Sequence, residues 1–331
     1  MEIGRLETAL HNSAPEITLG PLLFNWQPDR WRDFYFRIAD EAPVATVYLG
    51  EVICSKRAPL LAEHHDAVAQ RLRSAGKTVV FSTLAEVTQA VDRRLVESVA
   101  AAPGCLVEAN DASALPHLQG RPHHIGPFMN VYNERSVAFL ARAGAVNFCL
   151  PVEMSAATVD ALCRETRGLD VTFEVLAFGR MPLALSARCY HARAHGRTKD
   201  SCLFVCDNDG DGLELRTLDA QPFLTVNGIQ TLSHDFINLV GRLGALRAMG
   251  VSRFRLSPHG CDMVRVATVF RAVLDGALPA EEAAAALNGL DLPGPFSFGF
   301  YDGAAALRRE RAQQGRPQEG GRAVDGAAAD R

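Results

Sequence analysis

Nowhere in this chain do about 18 apolar residues run together, so no segment has the length a membrane-spanning helix requires. The opening stretch, MEIGRLETALHNSAPEITLG, has neither the charged start and apolar core of a signal peptide nor the Arg/Ser-rich amphipathicity of a transit peptide. The expected location is therefore the cytoplasm. The glycine-rich patterns GxGxxG and GxxxxGK[ST] are missing, and with them the usual nucleotide-binding turns. HExxH, GxSxG and a Ser/His/Asp arrangement in diagnostic context are missing too, which leaves no recognisable protease machinery. No 2-His-1-carboxylate set for oxygen chemistry can be identified. Excess charge is also lacking: a net charge of -4 and a pI near 6.2 give no general attraction for nucleic acid, and no nucleic-acid partner is expected.

What remains is a chain of 331 residues, 48% hydrophobic, large enough for one barrel or two ordinary domains. Short apolar runs alternate with amphipathic helical patterns, as parallel strands joined by crossover helices do. Eight strands are expected, starting near Ile17, Val44, Thr78, Cys105, His123, Ala145, Val171 and Phe254. Between them Leu84, Val87, Val91, Leu95 and Val99 keep a three-or-four spacing, as do Met263, Val266, Phe270 and Val273, so both sets are read as core faces of helices. Eight such units predict a TIM-barrel-like (β/α)8 fold of the α/β class, with an elaborated loop after strand seven. The expected organisation is an N-terminal extension over 1–16, a barrel over 17–287 with its loop at about 179–235, and a C-terminal segment over 288–331 that is disordered from about 310.

That loop holds three of the eight cysteines, Cys189, Cys202 and Cys206, in the spacing C-x12-C-x3-C. Loops that follow barrel strands emerge at one end, so Cys54, just after strand two, reaches the same face. Cys261, after strand eight, competes for that place. Cys105, Cys149 and Cys163 sit in strand or apolar helix patterns and read as buried structural thiols. In a reducing compartment such a cluster points to metal rather than disulfides. Four thiolates suit structural zinc or an iron-sulfur cluster, and a single close pair in place of two C-x2-C knuckles favours the cluster. Arg188, Arg193, Arg197 and Lys199 would offset its negative charge, and His191 and His195 are alternative ligands. Asn130, Tyr132, Asn133, Glu153, Asn227 and Gln230 belong to the same face, where a polar ring could orient a small ligand. Ser155 and Ser233 read as helix caps.

GEVICSKR, LPVEMS, FGRMPLALSARCY, the cysteine spacing, VNGIQTLS and RLSPHG, in order over roughly Ile17 to Leu274, resemble the ubiquinone-biosynthesis members of the collagenase-like peptidase family. The resemblance implies a 4Fe-4S cluster on Cys54, Cys189, Cys202 and Cys206. It further implies a heterodimer with a UbiU-like sister protein, a UbiT-like lipid-binding accessory, and hydroxylation of a quinone precursor without molecular oxygen. Relatives use prephenate as oxygen donor. The polar ring of Asn130, Asn133, Glu153, Asn227 and Gln230, read from its shared face, is one place where such a donor or the quinone head could lie, which makes these the candidate substrate-binding residues. Alternative readings are a noncatalytic partner with a structural cluster or zinc site, and a family member of other activity.

Overall fold

A computed structural model describes residues 14–303. Parallel strands β1 (Glu16–Leu19), β2 (Thr46–Leu49), β3 (Thr78–Ser82), β4 (Leu106–Ala109), β5 (His123–Ile125), β6 (Ala145–Cys149), β7 (Thr172–Leu185) and β11 (Arg253–Leu256) follow one another around a closed ring. Closure comes from β11, which pairs in parallel with β7 (Arg253 opposite Glu174) and with β1 (Leu19 opposite Leu256). The expected eight-stranded TIM-like barrel is what the chain forms, each strand overlapping the apolar run that signalled it.

Helices α1 (Pro28–Glu41), α2 (Ala58–Ser74), α3 (Ala90–Ala100), α4 (Leu115–Leu118), α5 (Glu134–Arg142), α6 (Ala156–Glu165), α8 (Leu243–Met249) and α9 (Met263–Leu274) fill the connections. In α9 the anticipated stripe is buried, with Met263, Val266 and Phe270 packed inward. The first helical stripe needs correction: α3 starts at Ala90, after Leu84 and Val87, and buries Asp92, Val96 and Ala100, leaving Val91 46% exposed. Asp92 is buried because its carboxylate accepts from the N–H groups of Thr88 and Gln89, which fixes the helix start.

The barrel interior departs from the usual filling of branched aliphatics. Every barrel strand contributes at least one buried polar side chain, among them Thr18, Tyr48, Ser82, Glu108, His124, Asn147, Glu174 and Arg255. Arg255 Nη2 donates to Glu108 Oε1 (2.6 Å) and Glu174 Oε2 (2.9 Å), and its guanidinium lies 4.0 Å over the Tyr48 ring. Glu174 also accepts from Thr18, Tyr48 and Asn147, and Ser82 donates to Glu108. Burial opposes the Glu174 charge, but Arg255 outweighs it and holds the carboxyl far below its usual range. Burial pushes the His124 imidazole down to about 3, so that ring is neutral.

After Gly179, β7 runs on beyond the barrel to Leu185 and pairs antiparallel with β10 (Gln230–Asn238), which continues into β9 (Pro222–Asn227) and β8 (Leu213–Arg216). This small sheet and the short helix α7 (Tyr190–Ala194) build the elaborated loop. β10 was not foreseen. Ser233, read as a helix cap, lies in that strand, where its hydroxyl accepts from Met181 N–H and donates to Asp235 O. The described part of the C-terminal segment is ordered: α10 (Ala280–Asn288) leads to β12 (Phe296–Ser297) beside β10, and Phe298, Phe300 and Tyr301 pack on the main core. The expectations for 1–13 and for the tail from 304 lie outside the described residues. Among the described residues, no helix is long and apolar enough to cross a membrane.

Candidate functional site

After β2 the chain turns at Gly50 (φ 120°), where a Cβ would come within 2.6 Å of the Ser82 carbonyl oxygen. Glu51 fixes the next turn, its buried carboxylate accepting from the backbone N–H groups of Ile53 (2.8 Å) and Cys54 (2.9 Å). Burial raises the Glu51 carboxyl above its ordinary value, opposed by Arg57 and those N–H groups. Val52 and Ile53 sink into a small apolar cluster with Ile229, against which Cys189 packs. The turn thereby delivers Cys54 to a small cavity that Cys189, Cys202 and Cys206 also line.

Two successive non-glycine residues in the left-handed region, Leu203 (φ 49°) and Phe204 (φ 55°), make the reversal that brings both Cys202 and Cys206 to this cavity. Such conformations cost on the order of 1–3 kcal/mol each and persist where the surroundings enforce them. Cys189 Sγ accepts from Ala192 N–H at 3.4 Å. Burial pushes the Cys54 and Cys189 thiols above their ordinary values. All eight cysteines are free. Cys261 is elsewhere, its Sγ 3.6 Å from Met263 Sδ against the main core, with burial and Asp211 raising its thiol to about 12. Cys149 and Cys163 are buried, and Cys105 is half-buried against the core.

Among the described residues, one group of three or more His, Cys, Asp or Glu ligand atoms lies within 4.8 Å of one another, and it is His191, His195 and Asp209. The four thiols therefore surround a gap rather than a point. A single tetrahedral zinc, with Zn–S of about 2.3 Å, would need sulfurs about 3.8 Å apart. A donor set of four sulfurs around a wider opening, with a buried N–H of Arg57 left unpartnered beside it, fits a cluster of several irons and sulfides better.

The histidines expected as alternative ligands turn away from the thiols. Gly228 N–H donates to His191 Nδ1 (3.5 Å), which leaves the proton on Nε2 to be donated to Asp209 Oδ2 (2.7 Å). His195 Nε2 lies 3.2 Å from the same oxygen, and the two rings stack at 5.6 Å. A two-histidine, one-carboxylate set is thus present although none was identifiable in the sequence. With His191 committed as a donor, it acts as a clasp between the segment bearing Cys189 and the turn bearing Cys206.

The basic residues of the loop after β7 are not the cations nearest the cysteines in space. Arg188, Arg193 and Arg197 are exposed, and Lys199 Nζ, though it borders the cavity, pairs with Glu86 at 3.4 Å. The close cations come from SKR after Cys54. Lys56 Nζ donates to the carbonyls of Lys199 (2.8 Å) and Asp200 (3.1 Å) and lies 3.6 Å from Cys202 Sγ. Arg57 is buried, donating to Leu23 O (2.9 Å) and Asn227 Oδ1 (3.1 Å). Burial alone would weaken its charge, but Glu51, then Cys206 and Cys54, hold it firmly protonated.

A second cavity opens at the C-terminal end of the barrel axis. Its walls are mostly apolar, with Glu108, Asn110, Arg180, Arg255 and Ser257 supplying polar groups. The signal for these was available: a charged residue inside an apolar strand run, as in CLVEA, VTFEVLAFGR and FRLSP, marks the barrel interior. Pro127, Phe128, Val152 and Pro182 are shared with a roomier outer groove, where Asn130, Tyr132 and Glu153 lie. Tyr132 and Glu153 are hydrogen-bonded at 2.5 Å. Asn133 instead caps α5 through Ser136 N–H, and Asn227 and Gln230 lie bonded together beneath the thiol cavity beside Arg57. The expected polar ring is therefore divided among three places. Leu23 and Val52 line the axial cavity, and Leu23 O accepts from Arg57, so the axial and thiol cavities share a wall.

Residues 27–303 match the sequence profile of peptidase family U32. Among solved structures, the chain is similar to a tryptophan synthase complex from Pyrococcus furiosus, with 12% identity, TM-score 0.39, and coverage of 83% of this chain and 96% of that one. It is also similar to phospho-2-dehydro-3-deoxyheptonate aldolase from Thermotoga maritima (10%, TM-score 0.39, 83% and 68%) and dihydropteroate synthase from Thermus thermophilus (13%, TM-score 0.38, 81% and 96%).

Proposed function

The chain belongs to peptidase family U32, and from that premise we propose that it is a UbiV-type iron-sulfur subunit of an oxygen-independent ubiquinone-precursor hydroxylase. The observation that carries the reading is the enclosure of one cavity by Cys54, Cys189, Cys202 and Cys206, drawn from two distant loops. These four residues would hold a 4Fe-4S cluster. When bound, such a cluster would supply one electron at a time, and with four cysteine ligands it would leave no iron position open for substrate.

The residues of the chain support the rest. The wall shared by the thiol and axial cavities puts an electron-handling site beside a largely apolar chamber, suited to a quinone ring. Asn130, Tyr132 and Glu153 in the outer groove would orient the polar edge of the substrate or of a metabolite oxygen donor such as prephenate. Asn227, with Gln230, serves by positioning Arg57. The chain acts in a heterodimer with a UbiU-like sister protein and with a UbiT-like lipid-binding accessory that presents the quinone precursor.

The test is deletion of the gene, with ubiquinone measured with and without oxygen. Loss of ubiquinone only without oxygen, restored by the intact gene and not by a Cys206→Ala copy, is the expected result. Normal anaerobic ubiquinone in the deletion strain, with no redundant pathway present, contradicts the assignment.

A further inference from the structure

Cys202 and Cys206, borne by the loop after β7, meet two cations that the turn after β2 supplies together with Cys54. Lys56 Nζ is held by two backbone carbonyls and lies 3.6 Å from Cys202 Sγ. Arg57 has 2% of its surface exposed and lines the cavity, and its Nε–H finds no acceptor among the described residues. An unpartnered N–H on a buried charge is costly unless a ligand completes it. Gly228 keeps the guanidinium in place: a Cβ there would lie 3.0 Å from Arg57 Nη2.

We infer that Lys56 and Arg57 set the reduction potential of the cofactor held by the four thiols, Arg57 as an N–H donor and a buried charge that Glu51 offsets only in part, and Lys56 as a charge at Cys202. The inference rests on the cluster reading above. Adding one electron, from dithionite in the experiment, makes the thiolate-bound cluster one charge more negative. A fixed cation and an N–H aimed at sulfur favour that reduced state and raise the potential. Arg57, buried away from water and salt, has the larger effect. Neither residue touches substrate, so both are positioning and tuning residues.

The experiment is an EPR-monitored redox titration of anaerobically purified full-length protein, with iron and sulfide counted in each sample. Lys56→Gln and Arg57→Gln should lower the midpoint potential, the second more than the first. Arg57→Lys should recover part of the shift, and Arg193→Gln, at an exposed site, should leave the potential at the wild-type value. Arg57 also bonds Leu23 and Asn227, so if Arg57→Gln fails to fold, Lys56→Gln and Arg57→Lys carry the test. Fully loaded variants with the wild-type potential overturn the tuning role while leaving the cluster assignment standing. Wild-type protein without iron and sulfide overturns both.

Discussion

His191 Nε2 lies 2.7 Å from Asp209 Oδ2 and binds the helix that begins after Cys189 to the turn that contains Cys206. A charge-assisted hydrogen bond of this kind contributes about 1.5–3 kcal/mol. Asp209→Asn or His191→Phe should therefore loosen the thiol cavity without unfolding the barrel. The expected outcome is iron loss to a chelator severalfold faster than in wild type, with the thermal midpoint of the protein nearly unchanged. Equal rates of iron loss would remove the clasp from the account.

The barrel interior yields a stability prediction. Glu174 accepts from Thr18, Tyr48 and Asn147 and pairs with Arg255, so Glu174→Gln leaves a buried guanidinium partly uncompensated, at a cost of about 3–5 kcal/mol. The sign of the pH dependence follows from the depressed carboxyl. The Glu174 contribution is fully present above its ordinary value of 4.5 and is lost as pH falls toward the lower folded value. Chemical denaturation at pH 7 and at successively lower pH should show the wild-type advantage over Glu174→Gln shrinking below about pH 4.5. An advantage that stays constant into acid would contradict the ion pair.

Substrate access gives a third prediction. Val152 lines both the axial cavity and the outer groove, at the neck between them. Val152→Phe should narrow that neck and reduce hydroxylation by about tenfold or more, equivalent to about 1.4 kcal/mol or more of barrier. Iron content should not change. Wild-type hydroxylation in this variant would place the substrate elsewhere.

Much of the fold was legible because parallel strands buried on both faces announce themselves as apolar runs, as in TVVFS and AVNFC. β10 was hidden because it is bulged between Leu232 and Phe236 and carries Ser233, His234 and Asp235 there, which breaks the alternation expected of a strand. Val91 was misplaced because Asp92, a polar residue buried by its own capping bonds, shifts the inward face of α3. The convergence of Cys54 with the later cysteines was readable from barrel topology, which puts all loops after strands at one end. The cations were not. Proximity to Cys189 and Cys202 favoured Arg188, Arg193 and Arg197, which point to solvent, whereas Lys56 and Arg57, two and three residues after Cys54, are the cations at the thiols.

The central claim is that four thiols hold one cluster, and iron and acid-labile sulfide counting on anaerobically purified protein tests it most directly. Wild-type protein should carry about four of each per chain. Single alanine variants of Cys54, Cys189, Cys202 and Cys206 should each lose most of both, and Cys261→Ala should keep the full complement. Colourless wild-type protein carrying zinc, or a Cys54→Ala variant that retains its iron while Cys261→Ala loses it, would contradict the account.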